Sequence, residues 1–366
     1  MTYEGARSII GPFLKEQGAT ATEVGLIAGL GEMLAASLRY FSGRFADRTR
    51  AYWPITIAGY AVNLIVVPAL AFAGNWQTAA LLVVIERTGK AIRGPARDAL
   101  LSNVTATVGH GWGFGLHAAF DQTGAMVGPL LMAAAVSETH RFAPAFLRLA
   151  VPALLALGTL LAAKGTYPVK GEPPAEAETQ VLPRVFWLYV AAAGVLASGF
   201  VDFPLLAYHW QKNALVAPAA IPLLYSGAMG VNGMTALIFG RLFDRYGIRV
   251  LAAGTAISLA ALPLGFLGGF GGAVAASACW AAGMGAQDGS LRSGIAQVVS
   301  MSKRGGAFGA FNGVYGVAWF AGSAVMGVLY DRSIPGLVAF GVAMQAASAV
   351  FFFALAPRLR AAARAR

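Results

Sequence analysis

The sequence predicts an all-α polytopic membrane protein: two parallel six-helix repeats, twelve transmembrane helices in all, the first of them incomplete. Three observations carry this expectation: an apolar composition poor in charge, eleven runs long enough to cross a bilayer, and a loop motif that occurs twice. Of 366 residues, 57% are hydrophobic and 12% are charged, whereas a soluble domain carries about a quarter charged residues. So many apolar side chains cannot be hidden in one or two water-soluble cores. The 46 glycines suit membrane helices, which use small residues to approach one another closely. A single cysteine, Cys279, excludes a disulfide scaffold.

A spanning helix needs about 20 mostly apolar residues. Such runs fall at 23–42, 52–73, 77–97, 112–136, 143–163, 185–210, 219–241, 249–268, 272–296, 306–330 and 336–356. The ten-residue alternation of a membrane barrel is absent from the sequence. A shorter apolar stub, Met1 to Leu14, precedes them. Fourteen helical residues rise about 21 Å, short of the roughly 30 Å hydrocarbon core. The stub counts as helix 1, and the runs as helices 2 to 12.

The net charge of +11 admits two readings, nucleic acid or cytoplasmic loops. The positions decide. With the loop between helices 2 and 3 placed in the cytoplasm, 21 of the 27 Lys and Arg fall on that side and five on the other. This is the positive-inside distribution. No nucleic-acid partner is expected; the expected surroundings are a lipid bilayer, the cytoplasmic (inner) membrane, with the C-terminus in the cytoplasm. The long loop 164–184 holds Pro168, Pro173, Pro174 and Pro183 and reads as a central cytoplasmic linker. The expected division is therefore a six-helix bundle over 1–163, the linker over 164–184, a second bundle over 185–357 and a basic tail over 358–366.

The halves repeat. Gly43-Arg44-Phe45-Ala46-Asp47-Arg48 recurs as Gly240-Arg241-Leu242-Phe243-Asp244-Arg245, 197 residues later. Lys15 and Lys212 share that offset, and Arg97 is echoed by Arg292. Both motif copies lie on the same membrane face, so the repeats are parallel, related by an axis along the membrane normal. Helix 7 begins near Val185; the same offset starts helix 1 about a dozen residues before Met1. The expectation is a helix 1 whose beginning lies upstream.

Two six-helix halves, a central linker and the doubled loop motif resemble the major facilitator superfamily. The family's loop signature, roughly Gly-x-x-x-Asp-Arg-x-Gly-Arg-Arg, is matched at Gly43, Asp47, Arg48 and Arg50, and again at Gly240, Asp244, Arg245, Gly247 and Arg249. The first copy departs at Thr49-Arg50, where the family has a Gly-Arg pair, so its turn is expected to be tighter or differently shaped. Gly124-x-x-x-Gly128-Pro129 in helix 5 is similar to a motif associated with exporters of the family. The motif residues read either as a charge-assisted latch at the cytoplasmic rim or as a plain topological anchor.

Ionisable side chains at bilayer depth are costly and usually functional. Glu4 and Arg7 lie in helix 1, Glu32 in helix 2, Glu86 in helix 4, Asp121 in helix 5, Asp202 in helix 7 and Asp288 in helix 10. The resemblance implies that helices 1, 4, 7 and 10 line a central cavity, which Glu4, Arg7, Glu86, Asp202 and Asp288 would face. Glu4 and Arg7 at i,i+3 read equally as a structural ion pair. Glu86 begins a ladder with Lys90, Arg93 and Arg97 that reads as functional or as a cytoplasmic helix end. Asp121, desolvated in mid-helix, is expected either to exchange protons near neutrality or to make a structural bond. Gln287 and Asp288 break an Ala/Gly-rich helix and read as binding or gating groups.

No phosphate-cradling loop, nucleophile elbow or metal-ligand spacing occurs in the sequence. No enzyme activity, cofactor or metal is expected. The expected function is secondary transport of a small-molecule solute by alternating access, the halves rocking about a central site, coupled to protons and directed outward, by a chain working as a monomer. A proton-independent carrier, an importer, or a membrane sensor on the same fold are the alternatives.

Overall fold

The computed structural model describes residues 1–105, 110–167, 182–299 and 304–364. The described residues form helices and no strand. In chain order they are α1 (Thr2–Glu16), α2 (Ala21–Thr49), α3 (Tyr52–Ala69), α4 (Trp76–Thr105), α5 (His110–Thr139), α6 (Phe142–Ala145), α7 (Ala150–Thr166), α8 (Arg184–Gly199), α9 (Phe203–Lys212), α10 (Ala220–Tyr246), α11 (Arg249–Leu259), α12 (Ala261–Leu267), α13 (Phe270–Val298), α14 (Arg304–Arg332) and α15 (Ile334–Arg364).

Among the described residues, eight helical stretches are long and apolar enough to cross a membrane: Ala21–Ala46, Tyr52–Phe72, Phe142–Thr166, Arg184–Lys212, Ala220–Phe243, Arg249–Leu267, Ala307–Arg332 and Ile334–Leu359. Three further expected spans coincide with α4, α5 and α13, which have 30, 30 and 29 residues. Length is therefore not what sets α4 apart. It carries Glu86, Arg87, Lys90, Arg93, Arg97 and Asp98 within thirteen residues, a load that only internal pairing makes tolerable in a membrane. The short α1 matches the expected stub.

The expected seventh helix is not continuous. It breaks at Phe200–Asp202, between α8 and α9. Pro204 lacks an N–H and favours a helix start, so the sequence restarts a helix rather than continuing one. The backbone carbonyl of Asp202 accepts from Leu205 N at 3.1 Å and from Leu206 N at 3.4 Å.

The chain clusters into two compact units. One comprises Met1–Ala19, Leu30–Ala175 and Pro218–Ser226; the other comprises Thr20–Gly29, Glu176–Ala217 and Gly227–Arg366. The first unit therefore includes the start of α10, and the second includes the start of α2. In the first unit α3 packs on α4 and α1 on α5. Glycines permit both approaches. A Cβ on Gly59 would stand 2.7 Å from Arg93 N and 2.9 Å from Gly89 O. A Cβ on Gly5 would stand 3.0 Å from Gly128 O, and one on Gly124 would stand 2.8 Å from Met1 N. The Gly124/Gly128 motif thus forms the bed on which α1 lies.

In the second unit α8 packs against α14 and α15, and α11 against α13 and α15. Its core gathers Phe186, Tyr189, Phe243, Leu251, Phe311 and Phe352. The start of α2 is tied to the end of α14, where the Asp331 carboxylate accepts from Thr22 N at 2.9 Å and from Thr22 Oγ1 at 2.6 Å. Thr20 and Glu23 form a reciprocal capping box beside it.

Candidate functional site

The first unit brings seven charged side chains of α1, α2 and α4 together. Arg87 is the hub, with only 5% of its side chain exposed. Its Nη1 lies 2.8 Å from Glu32 Oε1, its Nε lies 3.5 Å from Glu86 Oε2, and it donates to the Tyr3 hydroxyl. Arg7 reaches the same Glu32 oxygen at 3.5 Å. The Glu86 carboxylate also accepts from the Asn63 side chain on α3, and the Asn63 amide donates to Glu86 O at 3.2 Å. Glu4 accepts from the Tyr225 hydroxyl at 2.5 Å. Lys90 Nζ stands 3.5 Å from the Tyr3 ring centroid, and the Arg93 guanidinium stands 4.2 Å from that of Tyr60. A small cavity of about 20 Å³, room for a water molecule, opens among Tyr3, Arg7, Val67, Glu86 and Arg87.

The second unit is organised around rings instead. Asp202 starts α9, yet its carboxylate caps nothing locally. It crosses to α14, accepting from Trp319 Nε1 at 3.0 and 3.1 Å and from Ser323 Oγ at 2.6 Å. Phe311, Tyr315 and Trp319 follow one another at four-residue spacing on α14, with ring centroids 5.4 and 5.6 Å apart, and Phe200 at the helix break continues the series. Tyr315 donates to Gln287 Oε1 at 2.6 Å, and Asn232 donates to Asp288 Oδ2 at 3.2 Å.

Several expectations need correction. Glu4 and Arg7 do not pair with each other; Arg7 turns to Glu32 and Glu4 to Tyr225. Asp121 and Asp288 are not covered by other parts of the protein. Position along a helix sets depth, but the helix's rotation sets what a side chain faces, and only the former is plain in sequence. Of the two acids that the Glu86 ladder could meet, Asp98 or Asp121, Arg97 pairs with Asp98 at 2.7 Å, while Glu86 bonds Asn63 and Arg87. Arg87, counted by its position as a cytoplasmic topology charge, is buried.

In the loop motif, Arg48, Arg245 and Arg249 are exposed, and Gly43 lies against Pro95. The side chains of Asp47 and Asp244 lie outside the described residues. Arg50 does not take the place of a motif arginine. At the 197-residue offset it corresponds to Gly247, and both ends are left-handed, with φ of 52° and 68°.

Tyr3, Asn63, Arg87, Tyr225 and Ser323 are the site members that sequence reasoning passed over. An asparagine in an otherwise apolar helix and an adjacent Glu-Arg pair at span depth were the available signals for Asn63 and Arg87. The second half does not repeat the charged network. At offsets of 195 to 197 residues, Glu86 and Arg87 fall on Ala281, Ala282, Gly283 or Met284, and at 197 Glu32 falls on Met229.

Comparison with known proteins follows the same architecture. The uncharacterized protein Rv2265 of Mycobacterium tuberculosis is 39% identical over 366 residues, covering 97% of this chain and 89% of that protein. An uncharacterized MFS-type transporter of Methanocaldococcus jannaschii, MJ1317, is 26% identical over 265 residues, 68% of this chain and 64% of that protein. A crystal structure of a variant of the nucleoside transporter NupG shares the fold, with a TM-score of 0.75 at 13% identity, over 99% of this chain and 96% of that one. A family model described as the Major Facilitator Superfamily matches residues 1–323. With its apolar spans, the protein is a multi-pass membrane protein, and it belongs to the Major Facilitator Superfamily.

Proposed function

We propose that this protein is a secondary transporter, not an enzyme, that moves a small solute across the inner membrane by alternating access and couples that movement to protons. The observation that carries the reading is the buried network of Arg7, Glu32, Glu86 and Arg87. Ionised groups at bilayer depth are retained where they serve a pathway. Arg87 stands between two carboxylates, nearer to Glu32 than to Glu86. A proton on Glu86 would remove one claim on Arg87 and commit it to Glu32. This is a two-state element that a proton can bias. Asp121 and Asp288, exposed and acidic, are secondary candidates for the proton path, and Gln287 and Asp202 for solute contact in the second unit.

Outward transport is the proposed direction, supported by the resemblance of Gly124-x-x-x-Gly128-Pro129 to the exporter motif. Asp47 and Asp244, with Gly43, Gly240 and the neighbouring arginines, are proposed as the cytoplasmic latch of two six-helix bundles, working in a monomer with a cytoplasmic C-terminus. The test is flux in proteoliposomes under an imposed pH gradient. Wild type should drive solute uphill. Glu86→Gln, which keeps an acceptor for Asn63 but cannot release a proton, should lose the uphill component at least about tenfold while downhill exchange persists. Uphill flux by the variant at the wild-type rate would rule Glu86 out as the proton carrier.

A further inference from the structure

The charged network is not balanced in hydrogen-bonding capacity. Its carboxylates are taken: Glu32 by Arg87 and Arg7, Glu86 by Asn63 and Arg87, Glu4 by Tyr225. Two of its four cations are not. Among the described residues, Lys90 and Arg93 take part in no ion pair with a carboxylate. The Nε atoms of Arg7 and Arg93 are buried without a hydrogen-bond acceptor, and that of Arg87 has only its 3.5 Å ion-pair contact with Glu86. Arginine and lysine only donate, and buried donors are satisfied in nearly all folded proteins. What the site lacks is acceptors and negative charge.

A plain topological role does not account for Lys90 and Arg93. An anchoring cation extends its stem and places its head in the headgroup region. Here both heads fold back onto tyrosine rings, Lys90 onto Tyr3 of α1 and Arg93 onto Tyr60 of α3. Rings hold a cation without neutralising it. The two cations are three residues apart on α4, so they are neighbours on one face of the helix.

We infer that Lys90 and Arg93 are the docking pair for an anionic group on the transported solute, a carboxylate or a phosphoryl group, with the tyrosine rings holding both cations in place until it arrives. The inference rests on the transport reading of this unit and narrows its substrate class to organic anions or phosphate esters. The small cavity beside Arg7 and Arg87 is too small for a whole solute and suits a water that relays to the bound anion.

The test is thermal unfolding of the purified full chain in detergent with defined probes. Succinate and citrate stand for carboxylates, inorganic phosphate and glycerol 3-phosphate for phosphoryl groups, and uridine and tetraphenylphosphonium for neutral and cationic solutes. At least one anion should raise the unfolding temperature by about 2 °C or more at saturation; which arm responds tells carboxylate from phosphoryl. The shift should vanish in Lys90→Gln/Arg93→Gln and return in part in Lys90→Arg. No shift with any of the four anions, or a shift that survives in the double variant, would overturn the inference. The wild-type comparison stands even if the double variant fails to fold, because stabilisation by uridine or tetraphenylphosphonium alone is also fatal. Anion binding without flux in proteoliposomes would remove the transport reading and leave this site in place. Flux of a cation or a nucleoside without anion binding would do the reverse.

Discussion

Arg50 and Gly247 hold the same left-handed backbone conformation at equivalent ends of α2 and α10, 197 residues apart. Only one of them is a glycine. A side chain there crowds the neighbouring carbonyl, at a cost of about 1 kcal/mol. Arg50→Gly should therefore stabilise the protein by about 0.5 kcal/mol after the added freedom of the unfolded chain is counted. Gly247→Ala should destabilise it by about 1 kcal/mol. Thermal unfolding of both variants checks the signs, which must be opposite.

The approach of α3 to α4 predicts a steep penalty for small additions. Gly59→Ala places a methyl group 2.7 Å from Arg93 N, which cannot move without its helix. Overpacking of this kind costs about 1–3 kcal/mol. Because Arg93 is displaced, anion-dependent stabilisation should fall as well. An Ala variant as stable as wild type would mean that the helices stand further apart in the membrane.

Removal of one carboxylate from the network should expose how tightly it is coupled. Glu32→Gln leaves Arg87 and Arg7 without their shared partner. Breaking a buried ion pair costs about 3 kcal/mol. The loss should be smaller in an Arg7→Gln background, because the surplus charge is then halved. A double-mutant cycle in unfolding free energy measures that difference.

Asp202 serves two donors on α14. Asp202→Ala would leave Trp319 Nε1 and Ser323 Oγ without an acceptor, at about 1–3 kcal/mol. Asp202→Asn keeps one acceptor oxygen and should cost roughly half as much. Equal losses for the two would show that burial of the charge, not the hydrogen bonds, dominates.

The fold was legible because membrane spans announce themselves by length and apolarity, and a duplicated Gly-x-x-x-Asp-Arg announces its repeat. The helix break at Phe200–Asp202 was half legible. Pro204 is a clear start signal, but it was outweighed by an apolar run that continued through it. The site was less legible. Glu32, Glu86 and Arg7 stood out as charges at depth, but nothing in the sequence placed them in one network. Which cation meets which acid did not follow, because pairing between helices depends on rotation and register that only packing fixes. Arg87 looked like one more topology charge in a basic stretch. Tyr3, Tyr60 and Tyr225 looked like ordinary apolar bulk.

The lopsided repeat has an evolutionary meaning. At the repeat offsets, the positions of Glu32, Glu86 and Arg87 are held in the second half by side chains that never ionise. One copy took up ionic chemistry and the other became a stack of rings anchored on a single acid, so neither is now a spare for the other. Replacing one twin segment with a copy of the other would yield a chain with two scaffolds of one kind and none of its complement.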